Sequence, residues 1–154
     1  MPCPFFLPEG KLETGPWTHA PRLPLGTAYK GTCQACAGES FQPPEAHVEE
    51  WCNRGYARGL CERFPEASPA DAVRFSITAE EPSRLRLVYV FERDHAPAEF
   101  GALEFSIAEN VLVAPDASER LKGQAEAFVR NHLLTECRDD SRHRSLDSLR
   151  HVGG

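Results

Sequence analysis

Polar and apolar residues alternate most regularly in the middle of the chain. Val73, Phe75 and Ile77 alternate with Arg74 and Ser76, the pattern of a strand with one face in a core. Leu85, Leu87, Tyr89 and Phe91 alternate with Arg86, Val88, Val90 and Glu92, a stronger and more central strand. Glu80-Glu81-Pro82-Ser83 between the two reads as the turn of an antiparallel hairpin. After Asp94-His95-Ala96-Pro97, a third strand runs through Leu103, Phe105 and Ile107, with Glu104 and Ser106 facing outward. Asn110 to Ala114 either extend it or form a short edge strand. Beyond Pro115 the spacing becomes helical. Leu121, Ala125, Phe128 and His132 share one face, widened by Val129 and Leu133, and Asp116 with Glu119 resembles a capping box. This helix is expected to cover one face of the sheet and to end near Cys137, with His132 a histidine at the core edge.

The front of the chain has no such rhythm. Residues 1–64 hold eight of the thirteen prolines and seven of the eleven glycines. Prolines at 2, 4, 8, 16, 21 and 24 exclude regular helix there, because each removes a donor and pushes its predecessor toward extended conformations. A wrapped coil is expected. Pro43-Pro44 can open a short helix, with Glu45, Glu49 and Glu50 in its first turns and Cys52 near its end. Gly55 and Gly59 interrupt it, and Cys61 would fall on a second turn before Phe64-Pro65.

The resulting fold class is α+β. An irregular Cys-rich N-terminal half with short helices precedes a small antiparallel three-stranded sheet covered by a C-terminal helix. Residues 1–65 form the Cys-rich segment and 66–138 the sheet and helix, packed with it as one domain. The polar stretch 139–154 forms a flexible tail.

Charge and length narrow the function. A formal charge of −6 over 154 residues argues against binding nucleic acid by phosphate neutralisation. No run approaches the roughly 18 apolar residues of a membrane span, and Phe5-Phe6-Leu7 is too short for a signal sequence. A cytoplasmic protein is expected. There thiols stay reduced, and clustered cysteines more often bind metal than form disulfides.

Five of the six cysteines, Cys3, Cys33, Cys36, Cys52 and Cys61, lie in the front half. Cys33-Gln-Ala-Cys36, flanked by Gly31 and Gly38, could grip one ion from a tight turn. The others are spaced singly, and Cys3 is followed by Pro4, a distribution that suits a four-thiolate iron–sulfur site. Phe5, Phe6, Trp51, Tyr56 and Phe64 stand beside them in sequence and could shield a cluster from water. The ligand set for a 4Fe–4S cluster is read as Cys3, Cys33, Cys52 and Cys61. Cys33 is preferred to Cys36 because it lies nearer the Tyr29-Lys30-Gly31 turn, and Cys36 stays in the pool of metal-binding candidates. The alternatives are zinc on the same cysteines, with His19 or His47 as further donors, and buried or redox-active thiols as plain core residues. Cys137 reads as structural.

Two functions follow. One is a small iron–sulfur protein serving electron transfer to a protein partner, redox sensing or structural clamping. The other is a zinc-stabilised adaptor, with a thiol enzyme ranked below both.

Overall fold

The computed structural model describes residues 2–13 and 23–150, with 136–150 described by backbone alone. Strand β1 (Phe6–Lys11) pairs antiparallel with β2 (Tyr29–Cys33), so the front half carries a sheet of its own. Helix α1 (Glu45–His47) runs straight into a π-helical turn, Val48–Cys52. A second, four-stranded antiparallel sheet follows in the order β3 (Ala72–Glu81), β4 (Arg84–Arg93), β5 (Ala96–Ser106) and β6 (Val111–Val113). Helix α2 (Glu119–Arg150) closes the chain. No helix among the described residues is long and apolar enough to cross a membrane.

This corrects the fold class expected from sequence in two ways. The front half is not an irregular segment with several short helices, and the large sheet has four strands instead of three. Pro8 escapes the usual penalty because β1 is a two-stranded edge with an irregularity between Pro8 and Gly10, where a missing donor costs no ladder bond. Gly31 is the complementary device: a Cβ there would stand 2.0 Å from the Leu7 carbonyl oxygen. Cys61 sits on an isolated turn, not a helix. Gly55, Tyr56 and Gly59 all have positive φ, which breaks the helical path on either side of Ala57. Asn110, also at positive φ, turns the chain so that Val111–Val113 can pair with Glu104–Ser106.

The hairpins obey turn chemistry that the alternation only outlines. Asp94 and His95 both have positive φ and link β4 to β5 as a two-residue loop, the geometry that matches strand twist. The register shifts between Phe91 and Glu92. That bulge is where Glu92, polar by sequence, becomes buried: the Tyr56 hydroxyl donates to it, and Arg74 lies 3.5 Å away.

One apolar cluster joins both halves of the chain. Phe6, Leu25, Tyr29, Val48 and Phe64 belong to it with Val73, Phe75, Leu85, Leu87, Leu103, Phe105, Leu121 and Val129. Helix α2 packs on β1, where Gly123 lies close over Leu7, and reaches the four-stranded sheet through Phe128 stacked on Phe75 at 5.7 Å. Ser118 starts it, its Oγ accepting from the Leu121 N–H. Leu133 is the last apolar residue of α2 packed on the core among the described side chains, and the helical backbone continues past Cys137 to Arg150. His132 lies at the edge of that stripe, 2.8 Å from Glu80 Oε1.

Arg58 and Asp71 bind the loop 53–71 to the sheet. Arg58 Nε donates to Asp71 Oδ1 at 2.7 Å, while its Nη atoms donate to the carbonyls of Glu66 and Ser68. Asp71 Oδ2 accepts the Asp94 N–H at 2.9 Å. Burial alone would raise the Asp71 pKa, but the Asp94 N–H and Arg58, with Arg93, outweigh it and hold it below 3.8. A depressed carboxylate stabilises the fold above its unfolded pKa and loses that contribution as pH falls through the folded value. Asp71→Asn is therefore expected to cost about 2 kcal/mol in urea unfolding at pH 7. The gap to the native sequence should narrow steadily once pH drops below 3.8; a constant gap would contradict an ionic origin.

Candidate metal centre

Four separate segments each bring one cysteine to the same region. Cys3 lies ahead of β1, buried at 8% exposure, and its N–H donates to the Cys52 carbonyl at 2.9 Å. Its own carbonyl accepts from Phe6 N at 3.1 Å and from Gln124 Nε2 of α2 at 2.8 Å. Cys33 ends β2 opposite Phe6 and exchanges backbone hydrogen bonds with Phe41 at 2.7 and 2.9 Å, which closes the loop 33–41. Cys52 ends the π turn. Cys61 follows a single turn in which its N–H donates to Ala57 O at 2.8 Å, and Phe64 N returns to Cys61 O at 2.9 Å.

Asn53 fixes the relation between two of these segments. It is 1% exposed. Its Nδ2 donates to the carbonyls of Tyr29 (2.9 Å) and Val48 (2.8 Å), and its Oδ1 accepts the Tyr29 N–H at 2.9 Å. The side chain thus behaves as a strand neighbour of Tyr29 while satisfying a carbonyl of the π turn. β2, which carries Cys33, and the turn that carries Cys52 are held by one residue.

The thiols feel one another. Burial pushes Cys52 up to about 12, with Cys3, Cys33 and Cys61 adding to the shift. Burial likewise pushes Cys3 up to about 12; the Phe5 N–H opposes it, Cys33 and Cys61 reinforce it, and Arg120 relieves it. Cys33, Cys52 and Cys61 also line one cavity of about 380 Å³, with Phe41, His47, Trp51 and Arg63 in its wall and Leu60, 63% exposed, at its margin. No three His, Cys, Asp or Glu side chains among the described residues are grouped to hold a single metal ion.

Cys36 stands apart. It is exposed, borders a different cavity with Gln34 and Arg120, and its Sγ lies 3.9 Å from Arg63 Nη2. His47 packs its ring on Trp51 at 4.5 Å between centroids and shares the thiol cavity. His19 and the Cys137 side chain lie outside the described residues. Of the aromatics expected to shield the thiols, Phe5 packs edge-on against Phe64 at 5.4 Å, whereas Tyr56 faces Glu92 and stacks on His95 at 4.2 Å.

Three residues around the thiols carry no cysteine-like signal in sequence. Arg63 covers the Phe41 ring, Arg120 lies over Phe5 and donates to Gln34 O at 2.8 Å, and Gln124 reaches Cys3 O and Phe6 O from a helix more than a hundred residues away. Only the first lies near a cysteine in sequence, so spacing could not have revealed the other two.

No family model, curated protein or solved structure matches the chain. Its chemistry has to be read from the thiols and their surroundings. Asn53→Ala tests whether the bracing holds them: it leaves the Tyr29 N–H without its acceptor and should cost about 2–3 kcal/mol. In thermal melts that is a fall of roughly 4–12 °C for a chain of this size. Hydrogen exchange should localise the loss to β2 and the π turn, and a uniform loss across the four-stranded sheet would count against that bracing.

Proposed function

We propose that Cys3, Cys33, Cys52 and Cys61 hold a 4Fe–4S cluster and that the protein is a cytoplasmic iron–sulfur protein passing single electrons to a protein partner. The observation that supports this reading is a partial convergence: Cys33, Cys52 and Cys61, from three chain segments, line one cavity, and the buried Cys3 interacts electrostatically with them. Thiolates are the donors that such clusters take, and the Cys3-Pro4 step matches a cysteine that closes a cluster site.

The size of the cavity beside the thiols is the ground for preferring a cluster over one zinc ion. Tetrahedral zinc with bonds of about 2.3 Å draws four sulfurs to about 3.8 Å from one another. Here three of the thiols line a cavity of about 380 Å³. One water occupies about 30 Å³ of liquid, so the space greatly exceeds that needed for one ion. The surroundings also suit the net negative charge that an iron–sulfur core carries once four thiolates bind it. Arg63 in the cavity wall places a positive charge beside it.

Binding would reverse the present electrostatics. Burial and mutual repulsion hold Cys3 and Cys52 protonated at neutral pH, so loading requires iron to displace their protons. Once loaded, the cluster would be separated from solvent on one side by Trp51 and Phe41, with Leu60 at the margin as the contact for a partner.

Anaerobic reconstitution with iron and sulfide tests the reading. The product should be brown, absorb broadly near roughly 400 nm and hold about four irons and four sulfides per chain. Cys52→Ser and Cys61→Ser should lose the colour, whereas Cys36→Ser should keep it. A colourless protein with one tightly held zinc would establish the adaptor instead, and a colourless metal-free protein would defeat both.

A further inference from the structure

A second cavity, of about 290 Å³, opens where the N-terminal segment, the four-stranded sheet and α2 meet, and it shares no lining residue with the thiol cavity. Phe5, Val73, Phe91 and Leu121 give it an apolar wall. Two opposite charges stand in the same wall, Glu99 on β5 and Arg120 in the first turn of α2. Among the described residues they form no ion pair with each other or with any other side chain. Arg120 Nη1 donates to the Gln34 carbonyl at 2.8 Å, and the guanidinium lies over Phe5 at 5.2 Å, which fixes its plane. Its Nε and Nη2 have no acceptor among the described residues. Glu119, the other charge of that turn, is paired with Lys122 at 3.1 Å. Gln124, one turn beyond Arg120 on the same helix face, also borders the cavity. Both hydrogens of its Nε2 are committed to the carbonyls of Cys3 and Phe6, so the carboxamide cannot flip, and the buried Oε1 is left without a donor.

We propose that this cavity binds a free α-amino acid with an apolar side chain. The carboxylate takes the Nε–Nη2 edge of Arg120 as a two-bond pair, at the end of α2 where the helix dipole favours an anion. The ammonium faces Glu99, with Gln124 Oε1 as a second acceptor, and the side chain packs against Phe91, Val73 and Leu121. A zwitterion is the guest that answers both charges at once. A plain carboxylic acid would leave Glu99 unmatched, and a plain amine would leave Arg120 so. The volume lies just under the roughly 300–1,000 Å³ of pockets for drug-sized ligands, which suits one amino acid and excludes a nucleotide. None of these groups is a thiol, so the proposal stands apart from the cluster reading.

The test is isothermal titration of the full-length protein with L-leucine and L-phenylalanine. Their counterparts lacking the amine (4-methylpentanoate, 3-phenylpropanoate) or the carboxylate (3-methylbutylamine, 2-phenylethylamine) are titrated beside them. At least one of the two amino acids should saturate one site per chain and bind about tenfold or more tightly than either of its counterparts. Glu99 is exposed and makes no ion pair among the described residues, so Glu99→Gln should leave the melting temperature unchanged. It should weaken the amino acid by about tenfold and leave the amine-free acid as it was. Arg120→Lys, which keeps the charge without the two-bond edge, should weaken amino acid and amine-free acid alike. Failure of both amino acids to saturate the protein overturns the proposal. So does an amine-free acid that binds as well as its amino acid, or an affinity that Glu99→Gln does not change. The titration needs no iron, so none of these outcomes bears on whether the thiols hold a cluster.

Discussion

The front half of this protein depends on a polar side chain doing the work of a missing strand. Two strands, one of them interrupted beside Pro8, are too little sheet to hold shape in water. Asn53 supplies the next set of hydrogen bonds to Tyr29, and in the same three contacts it satisfies a carbonyl of the π turn. π turns are uncommon and concentrate where a side chain must be re-aimed. Here the turn ends on Cys52, so the geometry of that thiol is a direct consequence of how Asn53 is buried.

A second stitch makes the arrangement global. Gln124 Nε2 donates to the carbonyls of Cys3 and Phe6, fastening the amino-terminal strand to α2. Pro2 O accepts from Val73 N, which ties the same segment to β3. Cys3 is thus fixed by the long helix and by the large sheet, while Cys33 and Cys52 are fixed by Asn53. Arg58, through Asp71 and the carbonyls of Glu66 and Ser68, does the same for the loop that carries Cys61. The four thiols meet because three independent polar anchors hold their segments within one apolar cluster.

Much of the large sheet was legible in the alternation from Val73 to Phe105, since each such residue on the inner face had to be apolar to be buried. The edge strand β6 was visible only as an option, because three residues make no period. β1 and β2 were hidden for a physical reason: Pro8, Gly10 and Gly31 are strand breakers in isolation, and they are tolerated only because the two strands pair with an irregularity and approach closely at Leu7. The choice of Cys3, Cys33, Cys52 and Cys61 came from composition and compartment; in the fold Cys33, Cys52 and Cys61 line one cavity and Cys36 borders another, while no three ligating side chains among the described residues are grouped to hold a metal ion. Arg63, Arg120 and Gln124 could not be foreseen, since an arginine or glutamine announces nothing until its partner is near.

The fold keeps the thiols of Cys3 and Cys52 neutral. Burial disfavours the charged form of Cys3 and Cys52, and each additional thiolate nearby disfavours it further. The nearby cations are already engaged: Arg120 donates to Gln34 and lies over Phe5, and Arg63 is paired with Glu39. A core built only for stability would place Leu or Val at such positions, since apolar side chains fill space without a titratable group. As neutral thiols the cysteines fill that space like other small apolar side chains; on the proposed reading an iron–sulfur core would displace their protons and bind them as thiolates. On that reading, such a core would cross-link segments that Gln124, Asn53 and Arg58 already hold in place, adding its binding energy to the stability of the front half.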